Sequence, residues 1–92
     1  MQLVYVYIVY IMYEFKQSTR KGKKYMVWVS QLDKWVHFGS SSHQHYKDKT
    51  PLKLYSHLDH LDPERRRLFK IRFEKTRHVK WSPSYFSDRY LW

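Results

Sequence analysis

Two short segments with alternating side-chain character, separated by three residues, constrain the fold of this chain most strongly. Residues 24–30 read Lys-Tyr-Met-Val-Trp-Val-Ser, and residues 34–38 read Lys-Trp-Val-His-Phe. A period of two indicates strands, because successive side chains of a strand point to opposite faces of the sheet. The connection at residues 31–33 is short enough for a hairpin. We therefore predict an antiparallel β-hairpin at the centre of the fold.

The most apolar part of the chain, residues 2–13, supplies the next predicted strand. Its residues are mainly β-branched or aromatic, which favours strand structure. It is shorter than the roughly 20 apolar residues of a transmembrane helix, and it lacks the basic start and cleavage site of a secretory signal. We expect a glycine turn at residues 20–23 to join it to the hairpin, which gives three antiparallel strands in residues 1–38. An alternative takes Met12 as the start of translation.

Two helix start signals follow the strands. Asp62 can cap a helix whose first residue is Pro63, and the pattern predicts a helix from Pro63 to about Arg77, within the segment 62–78. A second signal, Ser82 before Pro83, predicts a short helix or turn in a packed aromatic C-terminus at residues 79–92. Residues 39–61 are predicted to form a His-rich loop. The whole chain, residues 1–92, is thus predicted to be one α+β domain with a three-stranded antiparallel sheet.

Composition limits both the core and the chemistry. The chain has 4 Trp, 9 Tyr and 5 Phe but no Ala, so aromatic side chains must build most of the core. It also has no Cys, which excludes disulfides, thiolate zinc sites, iron–sulfur clusters and Cys nucleophiles. We find no glycine-rich phosphate loop and no recognisable Ser, His and Asp arrangement. We therefore predict a protein that is not an enzyme, with no catalytic residues, no cofactor and no small-molecule substrate.

The net charge indicates a polyanionic partner. The chain carries 18 Lys and Arg against 8 Asp and Glu, a formal net charge of +10. Such a balance on one small domain suits nucleic acid, an anionic membrane face or an acidic protein surface, and the alternative is a solvated basic surface; we favour nucleic acid. No zinc-finger, homeodomain or basic-zipper pattern is present, so we expect phosphate contacts without sequence specificity, to DNA more than to RNA. The predicted contacts are Lys16, Arg20, Lys21, Lys23, Lys24, Arg66, Arg67, Lys70 and Arg77.

Four histidines lie close together in the sequence. Imidazoles and a nearby carboxylate suit zinc, nickel or iron, and the paired spacings resemble those of metal ligands. The weak metal candidates are His43, His45, His57 and His60. The simpler interpretation, which we favour, is that they are polar loop residues that hydrogen-bond the backbone. No metal site is therefore predicted.

Several short motifs give the chain a family resemblance. Its pattern is similar to that of a family of small basic uncharacterised proteins of nucleocytoplasmic large DNA viruses, including viruses of algae and giant viruses. The resemblance covers roughly residues 12–92 and implies a viral protein, but no activity. The chain departs from the family pattern at Phe69, where Tyr is common, and at Phe73, where His is common, which weakens any His-dependent site on the helix. The motifs that carry the resemblance are His37-Phe38-Gly39, Tyr46-Lys47-Asp48, residues 60–66 (His-Leu-Asp-Pro-Glu-Arg-Arg), Arg72, Trp81, Phe86 and Leu91-Trp92.

Two functions are therefore expected. The first is a non-enzymatic nucleic-acid-binding protein of a large DNA virus, located in the virion or the infected host cell. The alternative is a structural virion component, such as a minor capsid or glue protein. It would contact capsid proteins, or itself, through the N-terminal strand and the basic face.

Overall fold

The computed structural model describes residues 13–92 as a three-stranded sheet followed by a long loop and two helices. The sheet is antiparallel in the order β1-β2-β3, so the α+β class and the sheet topology are as predicted. Within residues 13–92, no helix is long and apolar enough to cross a membrane. The elements are β1 Glu14–Gln17, β2 Lys23–Val29, β3 Lys34–Ser40, a 3₁₀ turn Ser56–Leu58, α1 Pro63–Arg72 and α2 Pro83–Tyr90.

The first strand of the sheet, β1, differs from the first strand predicted from the sequence. The predicted strand at residues 2–13 lies outside the described residues except for Tyr13, which forms a bend before β1. β1 instead begins at Glu14, and its Phe15 pairs with Val27 on β2. The predicted glycine turn is confirmed, because Gly22 lies between β1 and β2 with a φ of 86°. The hairpin of β2 and β3 is also confirmed.

One face of the sheet forms the core. Tyr25, Val27, Val29 and Phe38 are fully buried there. Phe86 of α2 and Leu91, which follows that helix, cover them, and all six residues are 0–1% exposed. Ser82 caps α2 by accepting a hydrogen bond of 3.1 Å from the backbone N–H of Tyr85. The prediction of a packed aromatic C-terminus is therefore confirmed, and the core is largely aromatic.

The alternation of β2 fails at its beginning. Lys24 and Tyr25 are consecutive residues, yet they are 2% and 0% exposed. Opposite them Gly39 has a φ of 78°, and a Cβ there would lie 2.7 Å from Leu91 Cδ1 and 3.3 Å from Lys24 Cβ. The bare glycine backbone thus leaves room for the Lys24 methylenes beside Leu91. This local arrangement turns Lys24 inward.

The first helix is shorter than predicted. α1 begins at Pro63 with Asp62 as its cap, as expected, but it ends at Arg72 rather than near Arg77. The backbone N–H of Phe73 bonds the carbonyls of Phe69 and Ile71, and the chain continues as a series of turns to α2. The early end has a physical reason: the chain must reverse so that α2 can return to the sheet. Intrinsic helix propensity is weak compared with that packing.

Candidate nucleic-acid interface

A buried carboxylate organises the loop between the sheet and α1. Asp48 is 1% exposed and accepts hydrogen bonds from the Thr50 hydroxyl at 2.6 Å, from the Thr50 N–H at 3.0 Å and from the Tyr55 N–H at 3.1 Å. It also accepts one from the hydroxyl of the core residue Tyr25. Burial alone raises the pKa of Asp48, but these donors outweigh it and hold its pKa below the ordinary value. The charged carboxylate therefore fastens the loop to the sheet.

The four histidines do not form one site. His45 is fully buried, and its Nε2 lies 2.6 Å from an Asp59 oxygen. Burial, and then the charge of Lys24, lower the pKa of His45. His43 bonds Ser40, His57 stacks on Tyr55, and His60 Nδ1 accepts from the backbone of Asp62, as three separate local contacts. In residues 13–92, no group of three or more His, Asp or Glu side chains is arranged to hold a metal ion.

Lys24 does not belong to an exposed basic surface, although it was a predicted phosphate contact. Its ammonium group donates to the carbonyl of His43 at 2.7 Å, and the residue is 2% exposed. Burial lowers the pKa of Lys24 to about 8, despite the opposing attraction of Asp48. A side chain held in this way cannot reach a phosphate outside the fold. The reason is the inward turn of β2 opposite Gly39.

The predicted basic stripe on the helix is largely used inside the protein. Arg66 donates from Nε to the Trp92 carbonyl at 2.7 Å. Lys70 forms an ion pair of 2.6 Å with Asp88 on α2. Arg77, which lies beyond α1, is 18% exposed in its side chain and pairs with Glu74 at 2.8 Å and with Asp88 at 3.5 Å. These three cations hold the helices and the C-terminus together.

Arg67, the remaining predicted contact on α1, is exposed to solvent, unlike the cations of that stripe. Its side chain is 58% exposed, and it forms an ion pair of 2.5 Å with Glu64 one turn earlier on α1. The neighbouring carboxylate partly neutralises the charge that a phosphate would meet. Arg67 is therefore accessible, but it is not a free cation.

The remaining predicted contacts lie on or beside the turn between β1 and β2. Lys16 is 55% exposed in its side chain and lies 3.9 Å from Glu14. Arg20 and Lys21 are exposed in the turn itself, and Lys23 is partly exposed at the start of β2. We call residues 20–23 the basic turn. It presents three cations to solvent at one end of the sheet.

A cleft adjoins the basic turn. It has a volume of about 480 Å³. It lies between α1, α2 and the open end of the β2–β3 hairpin, where β2 begins and β3 ends. A smaller hollow continues it along α1 and shares five of its residues, including Arg72 and Trp92. We call the two together the basic cleft. Its lining residues are Lys23, Lys24, Gly39, Ser40, His43, Gln44, Arg65, Leu68, Phe69, Arg72, Phe73, Pro83, Ser84, Ser87, Leu91 and Trp92.

Lysine, arginine and aromatic side chains make up seven of the sixteen lining residues of this cleft, and within residues 13–92 none of the lining residues is Asp or Glu. Arg65 bonds the Gln44 amide oxygen at 2.9 Å, and the Arg72 guanidinium lies 5.1 Å from the Phe73 ring. In the part of the chain that the structure describes, neither arginine forms an ion pair with a carboxylate. Both charges therefore remain available to an anion.

Stacked rings form the wall between the two arginines. The rings of Phe69 and Trp92 are nearly parallel, at 4° and a centroid distance of 4.6 Å. Phe73 adds a further ring, 4.7 Å from Phe69. An apolar surface flanked by cations suits a ligand with a charged backbone and flat rings.

Arg65 and Arg72 are not among the phosphate contacts that were predicted from the sequence. Their spacing of seven residues places them on the same side of a helix, so a signal was present. The neighbouring stripe of Arg66 and Lys70 carries the same signal. Only the position of Asp88 on α2 shows which stripe is paired inside the fold.

Comparison with known proteins gives a family but no activity. The model of the Family of unknown function (DUF5754) matches residues 13–73 of the 92-residue chain. No curated protein and no solved structure matches. The matched range contains the sheet, the Asp48 loop and α1, but it ends before α2.

Proposed function

Because the chain belongs to the Family of unknown function (DUF5754), which assigns no activity, we propose from its own residues that it is a non-enzymatic nucleic-acid-binding protein. It would bind through phosphate contacts without sequence specificity. The observation that carries the proposal is a cleft lined by Lys23, Arg65 and Arg72, with no Asp or Glu among the lining residues that the structure describes. A viral origin, which the sequence resemblance implies, stays a prediction.

The basic turn extends the cationic surface of the cleft. The backbone N–H of Ser41 donates to the carbonyl of Gly22 at 3.0 Å, which holds the turn against the end of β3. Lys23 belongs to the turn and also lines the cleft. A phosphate backbone can therefore contact the turn and Arg72 along one continuous path. Phosphates supply most of the affinity of such binding and make it depend on salt.

The absence of sequence specificity follows from the chemistry of the lining. Arginine and lysine contact every phosphate alike, whatever the base sequence. The helix α1 is one side of the cleft and is tied to α2 by Lys70 and Asp88. It is therefore not free to enter a major groove as a recognition helix does. DNA of random sequence is the appropriate first ligand.

The test is a salt series with a charge-reversal variant. Affinity for a random 20-base-pair duplex is measured by fluorescence anisotropy from about 50 to 300 mM salt, for the wild type and for Arg72→Glu. Each lost phosphate contact makes the slope of log affinity against log salt shallower by about 0.9. We expect a change of that size for Arg72→Glu, and weaker binding to all sequences alike.

Lys34→Glu is the matched control, because it makes the same change in net charge. Lys34 is exposed at the start of β3, at the end of the hairpin away from Lys23 and about 20 Å along the strand. Its variant should change the slope by less than half as much as Arg72→Glu. Equal slopes for both variants would show that the cleft is not the contact surface. No binding by the wild type at about 50 mM salt would refute the proposed function itself.

The alternative, a structural virion component, depends on the apolar residues 2–13. That segment lies outside the described residues except for Tyr13. The contact of this strand with capsid proteins, or with a second copy of the chain, stays a prediction. Deleting residues 1–11 should abolish assembly in that case but leave nucleic-acid binding intact.

A further inference from the structure

The second face of the sheet, opposite the core, carries two tryptophans side by side. The register places Trp28 on β2 directly across from Trp35 on β3. Their rings meet edge to face, with centroids 5.5 Å apart and an interplanar angle of 65°. Both residues are partly exposed. Two large aromatic side chains in such positions do not contribute to the core described above.

A row of two basic residues and one methionine continues this face towards the basic turn. Lys16, Met26 and His37 are paired across the three strands. The Lys16 ammonium lies 5.3 Å from the centre of the Trp35 ring, a cation–π distance. We call Lys16, Met26, Trp28, Trp35 and His37 the outer sheet face.

The charge around this face is mainly positive. The Ser18 hydroxyl, which bonds His37, also accepts from the backbone N–H of Arg20 at 3.0 Å, so Arg20 lies at the His37 end of this face. Burial, and then the charges of Arg20 and Lys23, lower the pKa of His37. One carboxylate, Glu14, lies on the same face: it pairs with Trp28 in the register, is 60% exposed and lies 3.9 Å from Lys16. His37 itself is hydrogen-bonded to Ser18 at 2.6 Å. Lys16 thus lies beside Trp35, and Arg20 and Lys23 lie at the other end of this face, on the side of His37.

We propose that the outer sheet face binds single-stranded nucleic acid, with bases on Trp28 and Trp35 and phosphates near Lys16 and Arg20. The inference rests on the proposed function and adds the class of ligand. Charge complementarity favours a polyanion, and the exposed rings favour one whose bases are free to stack. In a duplex the bases are already stacked on each other, so the tryptophans would gain nothing from it.

The two surfaces are continuous through the basic turn. Lys23 lines the basic cleft and begins β2, the strand that carries Met26 and Trp28 of the outer sheet face. A flexible single strand can follow this path around the end of the sheet, whereas a stiff duplex cannot bend so sharply. Single strands should therefore use both surfaces, and duplexes only the basic cleft and the turn.

The experiment compares a 12-nucleotide oligothymidine with a duplex for the wild type, Trp35→Ala and Trp35→Phe. A base stacked on an aromatic side chain contributes enough that its loss weakens binding about 5- to 150-fold. We expect a loss in that range for Trp35→Ala with the single strand, and a change below about twofold with the duplex. Trp35→Phe, which keeps a ring, should restore most of the affinity. Single-strand binding should also quench tryptophan fluorescence less in Trp35→Ala than in the wild type.

A second variant guards against a folding defect. Lys16→Gln alters a side chain that is 55% exposed, so it should leave the circular dichroism spectrum unchanged while weakening single-strand binding. Unchanged single-strand affinity in Trp35→Ala, or an equal loss for both ligands in a folded variant, would overturn this inference. Duplex binding that still depends on Arg72 would then leave the proposed function standing. If the wild type binds neither the single strand nor the duplex, both this inference and the proposed function are wrong.

Discussion

Replacing the buried Lys24 by methionine should stabilise the protein at pH 7, although it removes a hydrogen bond. The ammonium group of Lys24 is held inside the fold. Within residues 13–92, its one hydrogen bond is to the His43 carbonyl. Methionine retains most of the length of the side chain that packs beside Gly39 and Leu91. The substitution therefore removes a buried charge without opening a large cavity.

The magnitude follows from the pKa. Lowering the pKa of Lys24 from 10.5 to about 8 corresponds to about 3 kcal/mol of unfavourable charging in the folded state. The lost hydrogen bond to the His43 carbonyl offsets about 1–2 kcal/mol of that gain. We expect Lys24→Met to raise the free energy of unfolding by about 1–2 kcal/mol. For a domain of this size, each kcal/mol raises Tm by about 4–8 °C.

The stability advantage of Lys24→Met over the wild type should decrease as the pH rises. Between pH 8 and 10.5 the unfolded wild type keeps the Lys24 proton more tightly than the folded wild type does. Stability of the wild type therefore rises with pH across that window, because the unfolded state binds more protons. Lys24→Met lacks this contribution. Its advantage should be complete below about pH 8 and should shrink as the pH rises towards 10.5.

Urea unfolding followed by tryptophan fluorescence at pH 7 and pH 10 measures both effects. Lys23→Met, on the partly exposed neighbour, is the matched control and should change stability by less than about 0.5 kcal/mol. A destabilised Lys24→Met at pH 7, or an advantage that does not change between the two pH values, would refute the reasoning. The nucleic-acid salt slope should be the same in Lys24→Met and the wild type.

Two further predictions concern the residues that shape the loop and the strand end. Asp48→Asn should lower the free energy of unfolding by about 2–4 kcal/mol at pH 7, because one oxygen that accepts from Tyr25 and Tyr55 becomes a donor. The pKa of Asp48 is lowered in the folded protein, so the wild type should lose the stability that the charged carboxylate contributes as the pH falls below about 4. Acid titration of the wild type and Asp48→Asn should therefore show their stabilities converging. Gly39→Ala should cost about 2–4 kcal/mol in urea unfolding, because its Cβ would lie 2.7 Å from Leu91 Cδ1 at a φ of 78°. Gly22 has a φ of 86°, but a Cβ added there would meet no atom within 4 Å apart from its chain neighbours, so Gly22→Ala should cost only about 1–2 kcal/mol. Equal costs for the two glycines would contradict the steric explanation.

Local signals in the sequence were sufficient for most of the elements. The alternation in β2 and β3 and the short connection between them predicted the hairpin, because strand periodicity and turn length are properties of neighbouring residues. The caps at Asp62 and Ser82 predicted where both helices begin, since the cap bonds span only two or three residues. The end of α1 was not predictable in this way, because it depends on where α2 must pack.

The site shows the same division. The sequence by itself determined that the chain is strongly basic, that its core is aromatic and that cations recur at helical spacing. Tertiary structure alone decided which cations face solvent: Lys24 turns inward beside Gly39, Lys70 pairs with Asp88, and Arg72 faces a cleft with no Asp or Glu among its described lining residues. The reason is physical, because the energy of a charge depends on the burial and the partners around it, and those come from residues far away in the chain.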